Sequence, residues 1–276
     1  MRIRGLELGF KAKTGIAVIL ALSVLALSSR AVGVNPYKLY NPYTPPCRSH
    51  LLGTDDVGHD VLTLLLLGSG TSLLVGFLTA SLAVSIGLAL SLLCYFDRLD
   101  SIIARVSDFF LVIPRLPMLI VLSALLKPNV LVVVLILVFF GWPFTTRVLR
   151  PVVRQVRSES FVELLRSDGF SSSYIIVKHI APHLTPLIIA QFVLEARHAV
   201  IAEAGIGFLG FEQPTTISLG VMLYHAFMNQ YTFASNVWLW TVLPPALTLA
   251  LLSLAFTLIG MDIEDKYKPW TWSVRF

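Results

Sequence analysis

Charged residues are scarce in this chain: they make up 13% of its 276 residues, whereas 56% of the residues are hydrophobic and the mean hydropathy is +0.79. A typical soluble domain carries about 25% charged residues. So few charges cannot cover a surface in water, which excludes an ordinary soluble protein and makes the lipid bilayer the expected solvent. The formal net charge is +5. The basic residues are spread along the chain rather than clustered on one soluble face, so we expect no nucleic-acid partner.

Cysteine is also rare, and several motifs of catalytic sites are missing. Cys47 and Cys94 are the two cysteines, too few for a disulfide framework. The phosphate-binding pattern G-x-x-x-x-G-K-[ST] is absent, as are H-E-x-x-H and G-x-S-x-G. His179 and His183 have a spacing that can suit a metal, but we expect Pro182 to interrupt the helix between them. The sequence therefore predicts a chain that is not an enzyme and has no metal, cofactor or ATP site of its own.

Long apolar runs fill most of the sequence. Crossing about 30 Å of hydrocarbon takes roughly 20 apolar residues in a helix, whereas transmembrane strands would be shorter and would alternate in polarity. We therefore predict an all-α membrane protein with six transmembrane helices. A cleaved signal peptide is the alternative for the first run, but its length and poor cleavage site favour a retained helix. The predicted spans are Thr14–Val34, Thr63–Tyr95, Phe109–Leu126, Val130–Val148, Leu184–Gly210 and Val237–Met261.

The distribution of positive charge predicts the orientation of these spans, because Lys and Arg are enriched in short cytoplasmic loops. Most of the 21 Lys and Arg residues fall in segments that share one side if the N-terminus is cytoplasmic. We therefore expect a cytoplasmic N-terminal tail at 1–13, the first helix at 14–34, an external segment at 35–62, a five-helix core at 63–261 and a cytoplasmic C-terminal tail at 262–276. The basic residues assigned to the loop between the second and third spans are Arg98, Arg105 and Arg115.

A polar, serine-rich stretch, Ser158–Pro186, separates the fourth and fifth spans. Its composition predicts a surface structure that can dock a soluble partner, within a cytoplasmic loop at about 150–183. We expect a first short helix from Arg157 to Arg166 with Ser158 as its N-cap. Gly169 would then permit a sharp change of direction, and a second short helix would follow at Ser171–Ile180. The first helix would present three apolar side chains on one side: Phe161, Leu164 and Leu165.

Three elements of this stretch resemble the EAA loop of ABC importer permeases, at that loop's spacing. They are Glu163-Leu164-Leu165, Gly169 and Ile180-Ala181-Pro182, with leucines in place of the two alanines. The resemblance continues in Leu52–Leu62, where His59 stands in place of the usual Arg, and in Ala202–Gly210. On these motifs the chain resembles the permease subunits of dipeptide/oligopeptide/nickel-type importers, in the type with an external segment after the first span.

The resemblance implies a type I ABC importer permease and a set of partners in the cell membrane. These partners are a second homologous permease, two ATP-binding subunits that carry ATP and Mg, an extracellular or periplasmic substrate-binding protein, and membrane lipid. The substrate would be peptides, or alternatively oligosaccharides or nickel. An ion-coupled secondary transporter is the alternative class, but we find no inverted repeat or broken helix that would favour it. The implied ATPase-coupling residues are Glu163, Leu164, Leu165, Gly169, Ile180 and Pro182.

Ionisable residues in the fifth span are the other candidates, because charges within a membrane are costly and are often functional. Glu195 and His198 are three residues apart and are expected to share a helix face. They would either line the translocation pathway or form a polar pair satisfied within the bundle. Glu203 is expected to serve packing or gating.

Two further regions lie outside the spans. Asp55 and Asp60 flank Gly58 before the second span, and we expect them to shape a turn and a helix cap rather than a cation site. Phe211–Asn236 is too polar for a span and is expected to form a short amphipathic helix along the outer surface.

Overall fold

The chain forms a helical bundle in the computed structural model, which describes residues 9–31, 35–126, 128–213 and 215–271. Five helices in these ranges are long and apolar enough to cross a membrane, and a bent pair of shorter helices can supply a sixth span. This confirms the all-α membrane class. The helices are α1 (Phe10–Ala31), α2 (Val61–Leu93), α3 (Asp97–Val112), α4 (Arg115–Leu126), α5 (Val130–Arg157), α6 (Ser160–Ser167), α7 (Ser172–Ile175), α8 (Ala181–Phe208), α9 (Leu219–Met228), α10 (Gln230–Ala234), α11 (Trp238–Thr241) and α12 (Leu243–Thr271).

The third predicted span, Phe109–Leu126, is not one straight helix. α3 and α4 together have the apolar length of a span, but they are bent by 76°. The break falls at Ile113 and Pro114, because proline lacks a helical N–H donor and disfavours helical geometry in the residue before it. Ile113 is extended, with φ −71° and ψ 123°. The prediction of a single helix from Phe109 was therefore wrong: α3 begins earlier, at Asp97, and ends before the proline.

α2 lies at the centre of the bundle, in contact with α1, α5, α8 and α9. Small residues let membrane helices approach closely, and two glycines of α2 show this directly. A Cβ atom on Gly76 would lie 2.7 Å from Val200 of α8, and one on Gly87 would lie 2.6 Å from Thr145 of α5. α2 is thus held tightly between α5 and α8.

The first and last helices are joined by polar contacts at one end of the bundle. α12 continues to Thr271, well beyond the predicted end of the sixth span. Its Asp262 accepts a hydrogen bond from the backbone N–H of Gly9 at 3.0 Å, and Lys11 pairs with Asp265 at 2.9 Å. These contacts connect the beginning and the end of the described chain.

The helix expected within Phe211–Asn236 is present as α9, but it does not simply lie along the outer surface. α9 packs into the bundle against α8, α12 and α2. A Cβ atom on Gly220 would lie 2.3 Å from the backbone oxygen of Ala204, a distance that excludes any side chain. The expectation was wrong because close backbone packing depends on the partner helix. The polarity of the α9 sequence does not reveal that packing.

The segment between α1 and α2 is folded by its own carboxylates. Asp55 accepts hydrogen bonds from the backbone N–H groups of Gly58 and His59 at 2.8 and 2.7 Å. Asp60 is the N-cap of α2 and accepts from the N–H of Thr63 at 2.9 Å. Both residues therefore have the turn and cap roles expected from the sequence.

Candidate functional site: the segment between α5 and α8 and the buried charges

The polar stretch between α5 and α8 projects from one end of the bundle, called here the α6 end. α5 continues past Val148, the predicted end of the fourth span, to Arg157. Ser158 caps the C-terminus of α5, and its N–H donates to the carbonyl of Arg154 at 3.2 Å. The prediction of Ser158 as the N-cap of the next helix was wrong, since Glu159 holds that place. The last turns of α5 are so basic that their helical continuation was not visible in the hydropathy.

One apolar residue anchors α6 to the bundle. Val162 is completely buried, in a cluster that includes Leu149 and Val153 of α5 and Leu184 of α8. Leu165 is half-buried at the edge of the same cluster. α6 therefore has a fixed position against α5 and α8, although it is only two turns long.

The rest of α6 faces outward. Phe161 is 37% exposed and Leu164 is 65% exposed, with the exposed carboxylate of Glu163 between them in sequence. The three apolar residues expected on one side are thus divided, because Leu165 turns toward the bundle. Phe161, Glu163 and Leu164 are therefore open to contact with another protein.

Gly169 ends α6 in the conformation that the sequence predicted. Its φ is +84°, in the left-handed region that glycine adopts without steric cost. The N–H of Gly169 donates to Arg166 and the N–H of Phe170 donates to Leu165, both at 3.0 Å. This is the Schellman arrangement of a helix C-terminus, and it redirects the chain toward α7. A Cβ atom at Gly169 would meet nothing within 4 Å, so the requirement for glycine comes from the backbone alone.

Ile180 and Pro182 differ in their surroundings. Ile180 is completely buried in the cluster beneath α6, whereas Pro182 is exposed. The helix does not stop at the proline, because a π-helical turn, Ile176–Ile180, leads directly into α8. The wider turn accommodates a residue that lacks an N–H donor. The prediction that Pro182 interrupts the helix between His179 and His183 was therefore wrong.

Two histidines support the exposed ring of Phe161. The ring of His183 stacks on Phe161 with centroids 6.4 Å apart, and the ring of His179 lies 6.0 Å away. Nδ1 of His183 is 2.5 Å from the carbonyl oxygen of His179. Within the described ranges, no group of three His, Cys, Asp or Glu side chains is placed to hold a metal ion. The histidine spacing noted in the sequence thus serves an aromatic cluster that braces α6.

Two arginines connect α6 and the end of α5 to the start of α3. Arg166 donates to the hydroxyl of Tyr95 at 2.9 Å, and its guanidinium lies 4.9 Å from the centre of that ring. Arg157 lies over the same ring at 5.6 Å and donates to both carboxylate oxygens of Asp97 at 2.5 and 2.7 Å. Such bidentate pairs fix geometry. These contacts fix α6 and the end of α5 against the start of α3, whose other end is the bend at Pro114.

A buried ion pair joins the bend between α3 and α4 to α8. Glu195 is 2% exposed, and both of its carboxylate oxygens accept hydrogen bonds from Arg115, at 3.5 and 3.1 Å. The guanidinium also lies 5.6 Å from the ring of Phe144 on α5. Arg115 was expected in the loop between the second and third spans, and this placement was wrong. It is the first residue of α4 and lies within the bundle, near the middle of α8.

Glu195 and His198, which were expected to share a helix face, both lie near Arg115 of α4. Glu195 points to Arg115, whereas His198 is exposed on α8, and no hydrogen bond joins them in the described part of the chain. Arg197, between them in sequence, is half-buried and donates to the hydroxyl of Thr257 on α12 at 3.0 Å. Glu195 is thus satisfied by a partner from another helix.

Glu203 lies in α8 near its C-terminal end and is completely buried. Its Oε2 accepts a hydrogen bond from Ser72 of α2 at 2.8 Å, whereas no described residue hydrogen-bonds to Oε1. Glu203 thus joins α8 to α2, and its role in packing or gating stays a prediction. Its second oxygen leaves part of a costly buried group unsatisfied.

Comparison with known proteins gives these features a context. The chain matches the family described as binding-protein-dependent transport system inner membrane component over residues 81–266. The chain belongs to this family. As a member it is a transport subunit and a multi-pass protein of the bacterial inner membrane, and such permeases work with the other components of an ABC transporter.

Individual permeases match over nearly the whole chain. The oligopeptide transport system permease protein OppC of Mycobacterium bovis is 30% identical over 274 residues, which covers 95% of this chain and 92% of that protein. The dipeptide transport system permease protein DppC of Alkalihalophilus pseudofirmus is 30% identical over 261 residues, covering 92% and 84%. OppC of Bacillus subtilis is 25% identical over 272 residues, covering 98% and 88%. These matches confirm the resemblance inferred from the sequence motifs.

The matched region of this permease contains both α6 and the buried charges. Sequence motifs found Glu163 and Gly169, but they did not find Arg115 as the partner of Glu195, or Arg166 as the partner of Tyr95. For Arg115, the only sign of a buried position in the sequence was an arginine next to a proline inside an apolar run. A buried carboxylate in the fifth span required a partner, but Arg115 had been assigned to the loop between the second and third spans.

Proposed function

We propose that this permease is one of two membrane-spanning subunits of an ATP-driven, binding-protein-dependent importer of peptides, and that it moves its substrate by alternating access. The proposal rests on α6: it is anchored through Val162 and presents Phe161, Glu163 and Leu164 outward. The peptide class is supported by the similar proteins, which are oligopeptide and dipeptide transport permeases.

We infer the partners from the surfaces of this chain that are exposed. An ATP-binding subunit would receive α6, and a basic residue there would pair with Glu163. A second, homologous permease would cover part of the exposed apolar surface, which lipid covers elsewhere. A substrate-binding protein would deliver peptides at the opposite end of the bundle. ATP and Mg would bind to the two ATP-binding subunits and not to this chain, which we propose to be no enzyme.

A bent membrane helix is also found in ion-coupled secondary transporters, so the break at Pro114 deserves comparison with that class. The family match favours the ABC importer instead. We assign the bend a gating role in alternating access: Arg115 and Glu195 hold it against α8, close to the exposed His198. Glu203 would contribute to the gate at the other end of α8.

Reconstitution tests the proposed function. The purified chain should show no ATP hydrolysis, because it lacks a phosphate-binding motif. Proteoliposomes with the second permease, both ATP-binding subunits and the binding protein should take up labelled di- or oligopeptides only with ATP. Nickel and oligosaccharides serve as matched alternative substrates. ATP hydrolysis by the chain alone, or uptake of either alternative in place of peptides, would contradict the proposal.

The proposed orientation places both termini and α6 in the cytoplasm. It is supported by the basic residues at the α6 end, among them Arg154, Arg157 and Arg166. A membrane-impermeant thiol reagent should label Cys47, which is exposed in the segment between α1 and α2, on intact cells or spheroplasts. In a Cys47→Ser background, Ser171→Cys should react only after the membrane is opened. The reverse pattern would show the opposite orientation.

A further inference from the structure

Two buried glutamates meet at the end of the bundle opposite α6. Glu203 lies near the C-terminal end of α8. Glu212 lies between α8 and α9, where the structure describes residues 209–213 and 215–218, called here the α8–α9 segment. Glu203 is 0% exposed and Glu212 is 6% exposed. The hydroxyl of Ser218 lies between the carboxyl groups: it donates to Oε2 of Glu212 at 3.1 Å and also faces Glu203. Ser72 of α2 donates to Oε2 of Glu203 at 2.8 Å.

The carboxyl groups have polar neighbours but no counter-charge. Among the residues that the structure describes, Glu203 is the charged group that faces Glu212 from α8. The other polar groups are the hydroxyl of Ser72 on α2 and that of Ser218, the N-cap of α9. No ion pair reaches either glutamate within those residues, and none of them hydrogen-bonds to the buried Oε1 of Glu203. An ionised buried carboxylate without a cation is very costly, and two neighbouring carboxylates strongly oppose each other's ionisation.

We propose that Glu203 and Glu212 form a proton-binding site, and that a proton bound there holds the α8–α9 segment against the bundle. The proton converts one carboxylate into a neutral acid, which removes the charge repulsion and adds an O–H donor to a site that otherwise has more acceptors than donors. Release of the proton leaves two negative charges in a buried site. The α8–α9 segment then moves outward, so that Glu212 reaches water.

The environment of Glu212 favours proton binding while the residue is buried. Burial and the neighbouring Glu203 carboxyl raise the pKa of Glu212 to about 8. We call the arrangement closed when the segment lies against the bundle and open when Glu212 is in water. Because this pKa is above that of a solvated glutamate, the closed arrangement keeps a proton that the open arrangement releases. The closed arrangement therefore loses stability as the pH rises from the ordinary range of glutamate toward this value. Opening should increase with pH by up to about tenfold per unit, the limit for one proton.

Infrared spectroscopy of the full chain in lipid nanodiscs tests the site directly. The difference spectrum between about pH 6 and about pH 9 should contain the carbonyl stretch of a protonated carboxylic acid that is lost at the higher pH. The double substitution Glu203→Gln/Glu212→Gln should abolish this band, because either buried carboxyl alone can still hold the proton, whereas Glu264→Gln, a substitution at an exposed glutamate of α12, should leave it unchanged. An unchanged band in the double variant would overturn the proposal. A spectrum that follows sodium concentration rather than pH would also overturn it, in favour of a cation site.

A spin label tests the movement without relying on transport. Thr215 is exposed in the segment, and a nitroxide at Thr215→Cys, with both native cysteines replaced by serine, should become more mobile as the pH rises. The same label at Ser171→Cys on the α6 end is the control and should not respond. Glu212→Gln should keep the segment immobile across the range, because the amide is neutral at every pH and therefore is not repelled by the Glu203 carboxylate. A pH response that persists in Glu212→Gln would contradict the proposed latch. Both measurements use the isolated chain, so neither depends on the proposed import function.

Discussion

The Glu163→Lys variant should insert into the membrane normally but lose its ATP-binding subunits, and uptake should fall with them. Glu163 is exposed on α6, and its side chain forms no ion pair or hydrogen bond with the residues that the structure describes, so its replacement should not change the fold. If it pairs with a basic residue of the partner, the reversed charge opposes a like charge across the interface. Such an opposition costs several kcal/mol, which corresponds to a roughly hundredfold weaker association. Co-purification of the ATP-binding subunits with the tagged permease measures the loss, together with peptide uptake.

A charge reversal elsewhere on the same end of the protein separates this local effect from a general one. Glu264 is exposed on α12, and Glu264→Lys changes the net charge by the same amount. We expect that variant to retain its ATP-binding subunits and its uptake. Normal assembly and transport in Glu163→Lys would show that α6 is not the coupling surface. Equal losses in both variants would show that the net charge matters rather than the position of Glu163.

The parts of this fold that the sequence predicted are those governed by local chemistry. Hydropathy located the spans because each helix must satisfy its own backbone in lipid. Asp60 as a cap and Gly169 as a left-handed residue were predicted because their neighbours in sequence fix their roles. Glu163 and Gly169 could be placed on a surface element for the same reason, since spacing along a polar segment is visible without any partner helix.

The parts that the sequence missed depend on residues far apart in the chain. Arg115 and Glu195 are separated by 80 positions, and nothing near either residue identifies the other. Ser158 was misassigned because the basic end of α5 resembles a loop in hydropathy although it continues as a helix. The path of α9 could not be predicted either, because its contact with α8 depends on the missing side chain of Gly220. In each case tertiary packing determines the structure and local preference does not.

The second large effect is expected at the buried pair. Arg115→Met should destabilise the protein by about 3–5 kcal/mol, because it leaves the Glu195 carboxylate buried without its cation. Glu195→Met should have a similar cost for the opposite reason, since the guanidinium of Arg115 loses both of its acceptors. Denaturant titration of the purified chain in lipid measures the free energy of unfolding. Arg147→Met is the matched control: Arg147 and Asp108 form an exposed pair at 3.9 Å, and such pairs contribute under about 1 kcal/mol.

The double substitution Arg115→Met/Glu195→Met distinguishes a buried ion pair from two independent residues, and gating from packing. Replacing both members of a buried pair with apolar side chains is often nearly neutral, so the double variant should recover most of the stability that each single variant loses. Losses that simply add would show that the two residues do not interact. If the pair holds the α3–α4 bend as a gate, the stable double variant should still transport poorly or should hydrolyse ATP without uptake. Recovery of uptake together with stability would assign the pair to packing alone, and the gate would then have to lie elsewhere along α8.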